Sequence, residues 1–386
     1  MVPSPFPRIP EEIIIANILP RLPVKTLFRF KCVCKSWQSS ISSDKFELST
    51  KGRERAIFTT SHTDQIICSR PYNLSKEKRR RKSIYSIDLH QLDPQEIPCP
   101  IKHNDYYVTY ILGSCNGLLL ISIYQNVYLW NPSTRCYRRI PHLNIISGIP
   151  IRPSGLWYDK SSNDYKALAE HNGDQVVAYL QRNKVTKINF PYEIAACKIT
   201  RSAGLLVNGC LHWIAKNTSA IGAGPNIIVR FDISTYQFNE LPLLLDPARE
   251  ENNDDNRFIL GLGVLDGCLC MCRDGKNWDR TEVLIMREYG VKESWTSLLH
   301  VLYWRRNMGR GPPGWLVPVL FGSTTRKSSY STTTITTEEE DILVADGSEI
   351  WAYNLRYDSL KKIELIPYQN IQHGLVTYVE SLASVL

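Results

Sequence analysis

No run of about 18 uncharged apolar residues occurs in the chain, so no transmembrane helix is expected and the membrane is not expected as a partner. Gly-x-Ser-x-Gly, the phosphate-binding glycine loop and His-Glu-x-x-His are all missing, which removes the commonest sequence signatures of hydrolases, nucleotide-binding enzymes and metalloproteases. Scattered Ser, His and Asp residues make no triad without geometry, so no catalytic residue and no cofactor are expected. The eleven cysteines are odd in number and none is spaced Cys-x-x-Cys, which argues for free thiols in a reducing compartment, the cytoplasm or the nucleus. Cys268, Cys270 and Cys272 alternate and would share one strand face, yet no histidine lies in that stretch. They read as small buried residues, not as a metal site. A secretory pattern is absent too: Ile13 to Leu19 is apolar, but it follows Glu11 and Glu12 and sits between prolines.

What is present is the composition of a globular protein. The 386 residues allow two or three domains, and 43% hydrophobic with 22% charged residues argues against wholesale disorder. The net charge is +8, much of it from Lys76 to Lys82. That run reads as a solvated loop, and Lys78 to Lys82 could also serve as a nuclear import signal. Nucleic acid is not expected as a partner. Arg249 to Arg257, rich in Glu, Asn and Asp, reads as a second exposed loop.

The first fifty residues carry the helical signals. Pro10 followed by Glu11 and Glu12 has the chemistry of a helix start, because proline needs no N–H at the first position and carboxylates complement the helix dipole. Ile13, Ile14, Ile15, Ile18 and Leu19 cover more than one buried stripe. Pro20 and Pro23 break that helix, and Pro23 opens a second, with Leu27 and Phe28 inward and Lys25 and Arg29 toward water. A third helix is expected from about Lys31 to Ser42, with Val33, Trp37 and Ile41 at fourfold spacing on one face. Three short helices in roughly forty residues are too small for a stable core of their own. Such a unit is either a cap packed on the following domain or a docking module for another protein's helices.

Ile9-Pro10-Glu11-Glu12-Ile13, Ile18-Leu19-Pro20-Arg21-Leu22-Pro23-Val24-Lys25-Thr26-Leu27 and Arg29-Phe30-Lys31-Cys32-Val33-Cys34-Lys35-Ser36-Trp37 closely resemble the F-box, especially its plant form. The match is nearly gap-free, and its one small departure is Ile9 for the usual leucine. The resemblance implies that Pro10, Ile13, Ile18, Leu22, Pro23, Leu27, Val33 and Trp37 belong to the interface with a Skp-type adaptor or to the helical core behind it.

After Ser49 the helical period gives way to short β-rich runs separated by Gly, Asn and Asp turns. A loose unit recurs, as in Gly117 to Ile121, Val127 to Pro132 and Tyr137 to Pro141, and again in Gly209 to Ile214, Ile227 to Asp232 and Phe238 to Pro242. Further copies start at Gly155, Gly267 and Ile342, and Ala56 to Ile97 has room for another. Strand groups recurring at about 40–60 residues are the mark of a radial propeller. A β-sandwich ranks second, since it has no need of a recurring unit. The expected fold class is α+β multidomain: a three-helix unit over 1–50, then an all-β, propeller-like domain of about five to six blades over 51–386. Leu375 to Val379 is a strand candidate with no later unit to join, and the expected neighbours are Ile57-Phe58 and Ile84 to Ile87.

Ser114-Cys115-Asn116-Gly117-Leu118-Leu119, Leu129-Trp130-Asn131-Pro132-Ser133-Thr134, Tyr158-Asp159, Asn208-Gly209 with Leu211-His212-Trp213, and Ser294-Trp295 resemble the plant F-box-associated domain, a family often described as kelch-like. Gly155-Leu156-Trp157-Tyr158-Asp159 departs from its usual Gly-Phe-Gly-Tyr-Asp, and the strict kelch double glycine is missing. Asn131 to Thr134 reads as a turn and His212-Trp213 as buried strand, not as a site. Together the two resemblances imply a non-catalytic substrate-recruiting subunit of a Skp–cullin–F-box ubiquitin ligase. Its partners would be a Skp-type adaptor, the cullin-RING ligase reached through it, and a protein target of unknown identity. The alternative is a non-degradative Skp-binding scaffold. An enzyme built on the propeller ranks third.

Overall fold

The computed structural model describes residues 9–43, 46, 48–49, 53–63, 80–89, 93–101, 109–148, 150–194, 203–217, 226–243, 259–265, 267–274, 280–302, 317–319, 341–345, 350–354, 357, 359–363 and 369–385. The chain opens with α1 (Glu11–Ile13), which continues as a π-helical stretch Ile14–Ile18 and a 3-10 turn Leu19–Arg21. Then come α2 (Val24–Phe30), capped by Pro23, and α3 (Lys35–Ser42).

Everything after is antiparallel sheet. The first sheet has the order β25 (Gln369–Val379), β1 (Glu54–Thr63), β2 (Arg80–Asp88), β3 (Pro94–Ile97). The second holds β4 (Thr109–Cys115), β5 (Leu118–Ile123), β6 (Asn126–Trp130) and β7 (Tyr137–Asn144). The third holds β8 (Gly155–Asp159), β9 (Asp164–His171), β10 (Asp174–Tyr179) and β11 (Lys184–Lys187). In the fourth, β12 (Tyr192–Ile194) and β13 (Leu205–Val207) both pair with β14 (Cys210–Asn217), followed by β15 (Asn226–Asp232) and β16 (Phe238–Leu241). The fifth holds β17 (Ile259–Leu265), β18 (Cys268–Asp274), β19 (Arg280–Met286) and β20 (Trp295–Leu302). The sixth holds β21 (Val317–Val319), β22 (Asp341–Ala345), β23 (Ile350–Asn354) and β24 (Ser359–Ile363).

Six successive sheets form a propeller, because the core lies between them. Leu112, Leu118 and Leu129 of the second sheet cluster with Leu156, Ala167 and Val176 of the third. Trp157 and Leu168 of the third pack with Trp213 and Phe231 of the fourth, and Ile228 of the fourth with Leu269 and Leu284 of the fifth. Inner strands are therefore buried on both faces, which explains the uninterrupted run Leu118–Ile123. The same sandwiching buries Leu269 and Met271 along with Cys270 and Cys272, so the alternating cysteines do not mark a face of their own. Hairpins turn on Asn116-Gly117, Asn172-Gly173 and Asn208-Gly209, every residue at positive φ, the combination a two-residue turn with the right twist requires.

The ring closes as the sequence predicts. β25 pairs with β1 from Glu54↔Val379 to His62↔Gln369, so the last strand fills the opening sheet. Val376 and Tyr378 pack with Ile57 and Ile84 and with Ile121 and Trp130 of the next sheet. Closure removes an edge that would otherwise offer unpaired N–H and C=O groups.

Three expectations are corrected. Val33 precedes α3: after α2 the amides of Cys32 and Val33 bond back three residues, and Cys34 is extended, its sulfur accepting from the Trp37 amide. Phe28 is 38% exposed, with the Lys31 ammonium 5.3 Å from its ring centre. The basic run Lys76 to Lys82 is not all loop, since Arg80, Arg81 and Lys82 pair in register with Thr63, His62 and Ser61. Ladder bonds come from the backbone, so a charged sequence can extend a strand that a neighbour already templates. Lys76 to Arg79 and all of Arg249 to Arg257 lie outside the described residues.

Candidate docking face

The helical unit has a small core of its own. Leu19, Leu27 and Ile41 are buried at its centre, with Ile14, Ile15, Leu22, Phe30 and Trp37 packed around them. Phe30 and Trp37 lie with ring centres 5.3 Å apart. That core is finished by the far end of the chain, because Leu382 packs into the same cluster. The cap reading is thus true of the geometry. The unit sits on the propeller.

Three polar ties fix it there. Arg53 is 5% exposed; its Nε donates to the Ser49 carbonyl at 2.6 Å and its Nη2 to the carbonyls of Pro20, at 2.9 Å, and Leu22. The Arg53 carbonyl in turn accepts from the Glu380 amide at 3.0 Å, while the Glu380 carboxylate meets Arg55 Nε at 2.6 Å. Beyond Glu380 the tail crosses to the second sheet. Asn131 Nδ2 donates to the carbonyls of Ser381 and Ala383 at 3.1 and 2.9 Å, and Ser381 Oγ donates to the Asn116 carbonyl at 2.8 Å. A Cβ on Gly117 would stand 2.5 Å from the Val379 carbonyl oxygen, so the turn beneath the tail needs glycine for closeness as well as for its φ of +77°. Asn131 also holds its own turn, its Oδ1 accepting from the amides of Ser133 and Thr134. Sequence reasoning found that turn and missed the tail, since no local pattern shows a side-chain amide reaching 250 residues along the chain.

With its rear occupied, the unit turns the remaining apolar surface outward. Ile9, Ile13, Ile18, Phe28 and Val33 are all large, apolar and exposed, five of the eleven such side chains among the described residues. Single exposed apolar residues are ordinary; this concentration over residues 9–33 is not. The eight residues named from sequence divide accordingly. Leu27 is fully buried, and Leu22 and Trp37 are partly buried on its cluster, so these three support the unit. Pro10, Ile13, Ile18, Pro23 and Val33 are exposed.

Buried polar groups elsewhere have structural duties. His212, 1% exposed, has Nδ1 at 3.1 Å from the Leu205 carbonyl and Nε2 at 2.8 Å from the Tyr289 hydroxyl, locking the fourth sheet to the fifth. Burial lowers its pKa to about 4, so it is neutral near pH 7. Lys166 bonds the Tyr236 hydroxyl at 2.9 Å and pairs with Asp159, whose pKa is held well below the usual range, chiefly by Lys166.

Comparison with known proteins yields two family matches. Residues 6–49 match the F-box domain and residues 63–385 the F-box associated beta propeller domain. The F-box/kelch-repeat protein At3g23880 of Arabidopsis thaliana is 32% identical over 305 residues, covering 74% of this chain and 77% of that protein. The F-box protein CPR1 of Arabidopsis thaliana is 28% identical over 325 residues, covering 75% of this chain and 72% of that protein. A solved chain of a nidogen/laminin complex superposes with a TM-score of 0.46 at 11% identity, over 85% of this chain and 99% of that one. The chain belongs to the F-box proteins that carry an F-box-associated β-propeller domain.

Proposed function

We propose that this protein is the target-recruiting subunit of a Skp–cullin–F-box ubiquitin ligase. A Skp-type adaptor covers the exposed residues of the helical unit: Ile13, Ile18 and Val33, with Pro10 and Pro23 shaping the chain between them. Leu22, Leu27 and Trp37 hold that surface from behind. The observation that carries this reading is the cluster of five exposed apolar side chains on a unit whose own core is already closed by Leu382. A second protein is what would remove them from water.

The protein needs no reacting group for such work. It would raise the effective concentration of a target beside a ubiquitin-charged conjugating enzyme, and the rate gain follows from proximity. The test is affinity purification under proteasome inhibition, followed by reconstitution with adaptor, cullin-RING core and conjugating enzyme. Ubiquitin transfer to a co-purified protein, lost when the chain is omitted, supports the reading. A co-purified protein that is never modified would point to the non-degradative scaffold. The site of action would be cytoplasm, nucleus or both; replacing Lys76, Lys78 and Arg79 by serine in a fluorescent fusion lowers nuclear signal if the basic run is an import signal.

A further inference from the structure

Residues 109–190, which form the second and third sheets, hold nine Lys or Arg against four Asp or Glu, in a chain whose net charge is +8. None of the four carboxylates is left to answer that surplus. Asp159 pairs with Lys166 and accepts from the hydroxyls of Ser161 and Ser162, and Asp174 pairs with Lys187 at 2.8 Å. Asp164 and Glu170 are 1 and 4% exposed; the first accepts the Gln181 amide and the second lies near Arg152. Arg135, Arg138, Arg139, Lys160, Arg182 and Lys184 therefore pair with no carboxylate among the described residues. Five of these are exposed, and Arg138 is half-buried.

The six stand on three turns that hydrogen bonds knit together. Arg135 lies in the β6–β7 turn, and Arg138 and Arg139 follow at the start of β7. Arg138 Nη2 donates to the Leu180 carbonyl at 2.8 Å, which seats the start of β7 on the β10–β11 turn of Arg182 and Lys184. Arg182 Nη2 reaches the Ser162 carbonyl at 3.4 Å, in the β8–β9 turn that also carries Lys160. Asn131, which holds the tail, opens the turn of Arg135, so the patch lies on the side of the ring that carries the helical unit. Carboxylates of the adjoining sheets are engaged as well. Asp88 and Glu380 pair with Arg55, Asp93 accepts from Gln95 Nε2, and Asp232 accepts from Ser234 and Thr235.

Six cations on adjoining turns repel one another and give folding nothing in return; an anionic partner is what offsets an unmixed field of this kind. Four of the six are arginines, whose planar fork can hold a carboxylate through two parallel bonds. Tyr137, 48% exposed among them, adds one ring, set edge-on to Tyr128 with centres 6.3 Å apart. Single-stranded nucleic acid calls for a row of ring faces on which successive bases stack, and this patch has one. An acidic protein segment needs no such row.

We propose that this patch receives the target through a segment rich in carboxylates. The proposal rests on the recruiting role given above and names the surface and the partner chemistry for it. The target is then held on the same side of the ring as the helical unit, and its charge also speeds the encounter.

The test uses the full chain and three labelled probes of equal length, followed by fluorescence anisotropy: a peptide alternating glutamate with serine, the same peptide with glutamine for glutamate, and oligothymidylate. The glutamate peptide is expected to bind at least about tenfold tighter than the glutamine peptide, more weakly as salt rises, and at least as tightly as the oligothymidylate. Arg135→Glu, Arg139→Glu and Arg182→Glu together should reduce that binding about tenfold or more, with melting temperature and adaptor uptake at parent values. Arg287→Glu, Lys292→Glu and Lys361→Glu change the charge equally on the fifth and sixth sheets and should cost less than about threefold. Should the first variant melt below the parent, glutamine at the same three positions takes its place, with a loss of about threefold or more expected. Equal binding of the two peptides, or equal losses in the patch and control variants, overturns the proposal. So does oligothymidylate that binds tighter than the glutamate peptide and is lost in the patch variant, the mark of a nucleic-acid surface. A parent chain that takes up no Skp-type adaptor counts against the recruiting role; adaptor uptake without preference for glutamate counts against this patch alone.

Discussion

Arg53 and Asn131 show how single side chains join distant parts of this molecule. Arg53 gives its guanidinium to carbonyls of the helical unit and its own carbonyl to the tail amide of Glu380. Asn131 is fully buried and serves the tail and its own turn together. Asn131→Ala leaves two tail carbonyls and two turn amides without their partner. With lost hydrogen bonds worth about 0.5–1.5 kcal/mol each, a fall of a few kcal/mol in urea unfolding is expected. A midpoint equal to the parent's would show that the tail is held by other means. His212 makes a different prediction. Its folded pKa, about 4, lies below the ordinary value of 6.5, so its contribution is complete above pH 6.5. As the pH falls from there through about 4, the unfolded chain takes up a proton that the folded one refuses, and stability drops. His212→Gln should flatten the stability–pH slope over that window, and identical slopes for parent and variant would refute it.

At the scale of elements, the helical unit and the terminal strand are each incomplete alone. Leu382 finishes the core around Leu19, Leu27 and Ile41, and β25 finishes the first sheet. Removing the residues after Gly374 takes away half of that strand and the entire tail, and should destabilise sheets far off in sequence along with the helical unit. A truncated chain that stays soluble and melts at the parent temperature would contradict closure. Much of this was legible beforehand. Asn-Gly turns, β-rich runs and the unpaired Leu375 to Val379 segment are local signals, and they led to the ring and to its closing strand. Where the reading failed, a local rule met a longer-range one. Val33 fits the helical spacing of Trp37 and Ile41, but the cap after α2 ends that period before α3 begins. Arg80 to Lys82 carry loop-like charge, yet β1 supplies their ladder. The docking residues were named as a set. Their division into support and exposed surface needed burial, which no spacing reveals.

At the scale of the whole molecule, the helical unit is held on the propeller by Leu382 and the tail while Ile9, Ile13, Ile18, Phe28 and Val33 stay exposed on it. The engagement of a Skp-type adaptor by the helical unit is the central claim, and its test depends on choosing exposed residues. A charge at Leu27, with no exposed surface, would unfold the unit and abolish binding for a trivial reason. Ile13, Ile18 and Val33 are 46, 39 and 60% exposed and lie outside the buried core of the unit, so aspartate there is expected to leave the fold intact. The decisive measurement is calorimetric titration of a Skp-type adaptor into the parent chain and into the Ile13→Asp, Ile18→Asp, Val33→Asp variant, with melting curves for both. The parent should bind, and the variant should melt at the parent temperature with affinity lower by about 30-fold or more, the loss of about 2 kcal/mol that marks an interface hot spot. Equal affinity for the two chains, or a folded parent that takes up no adaptor, would contradict the account.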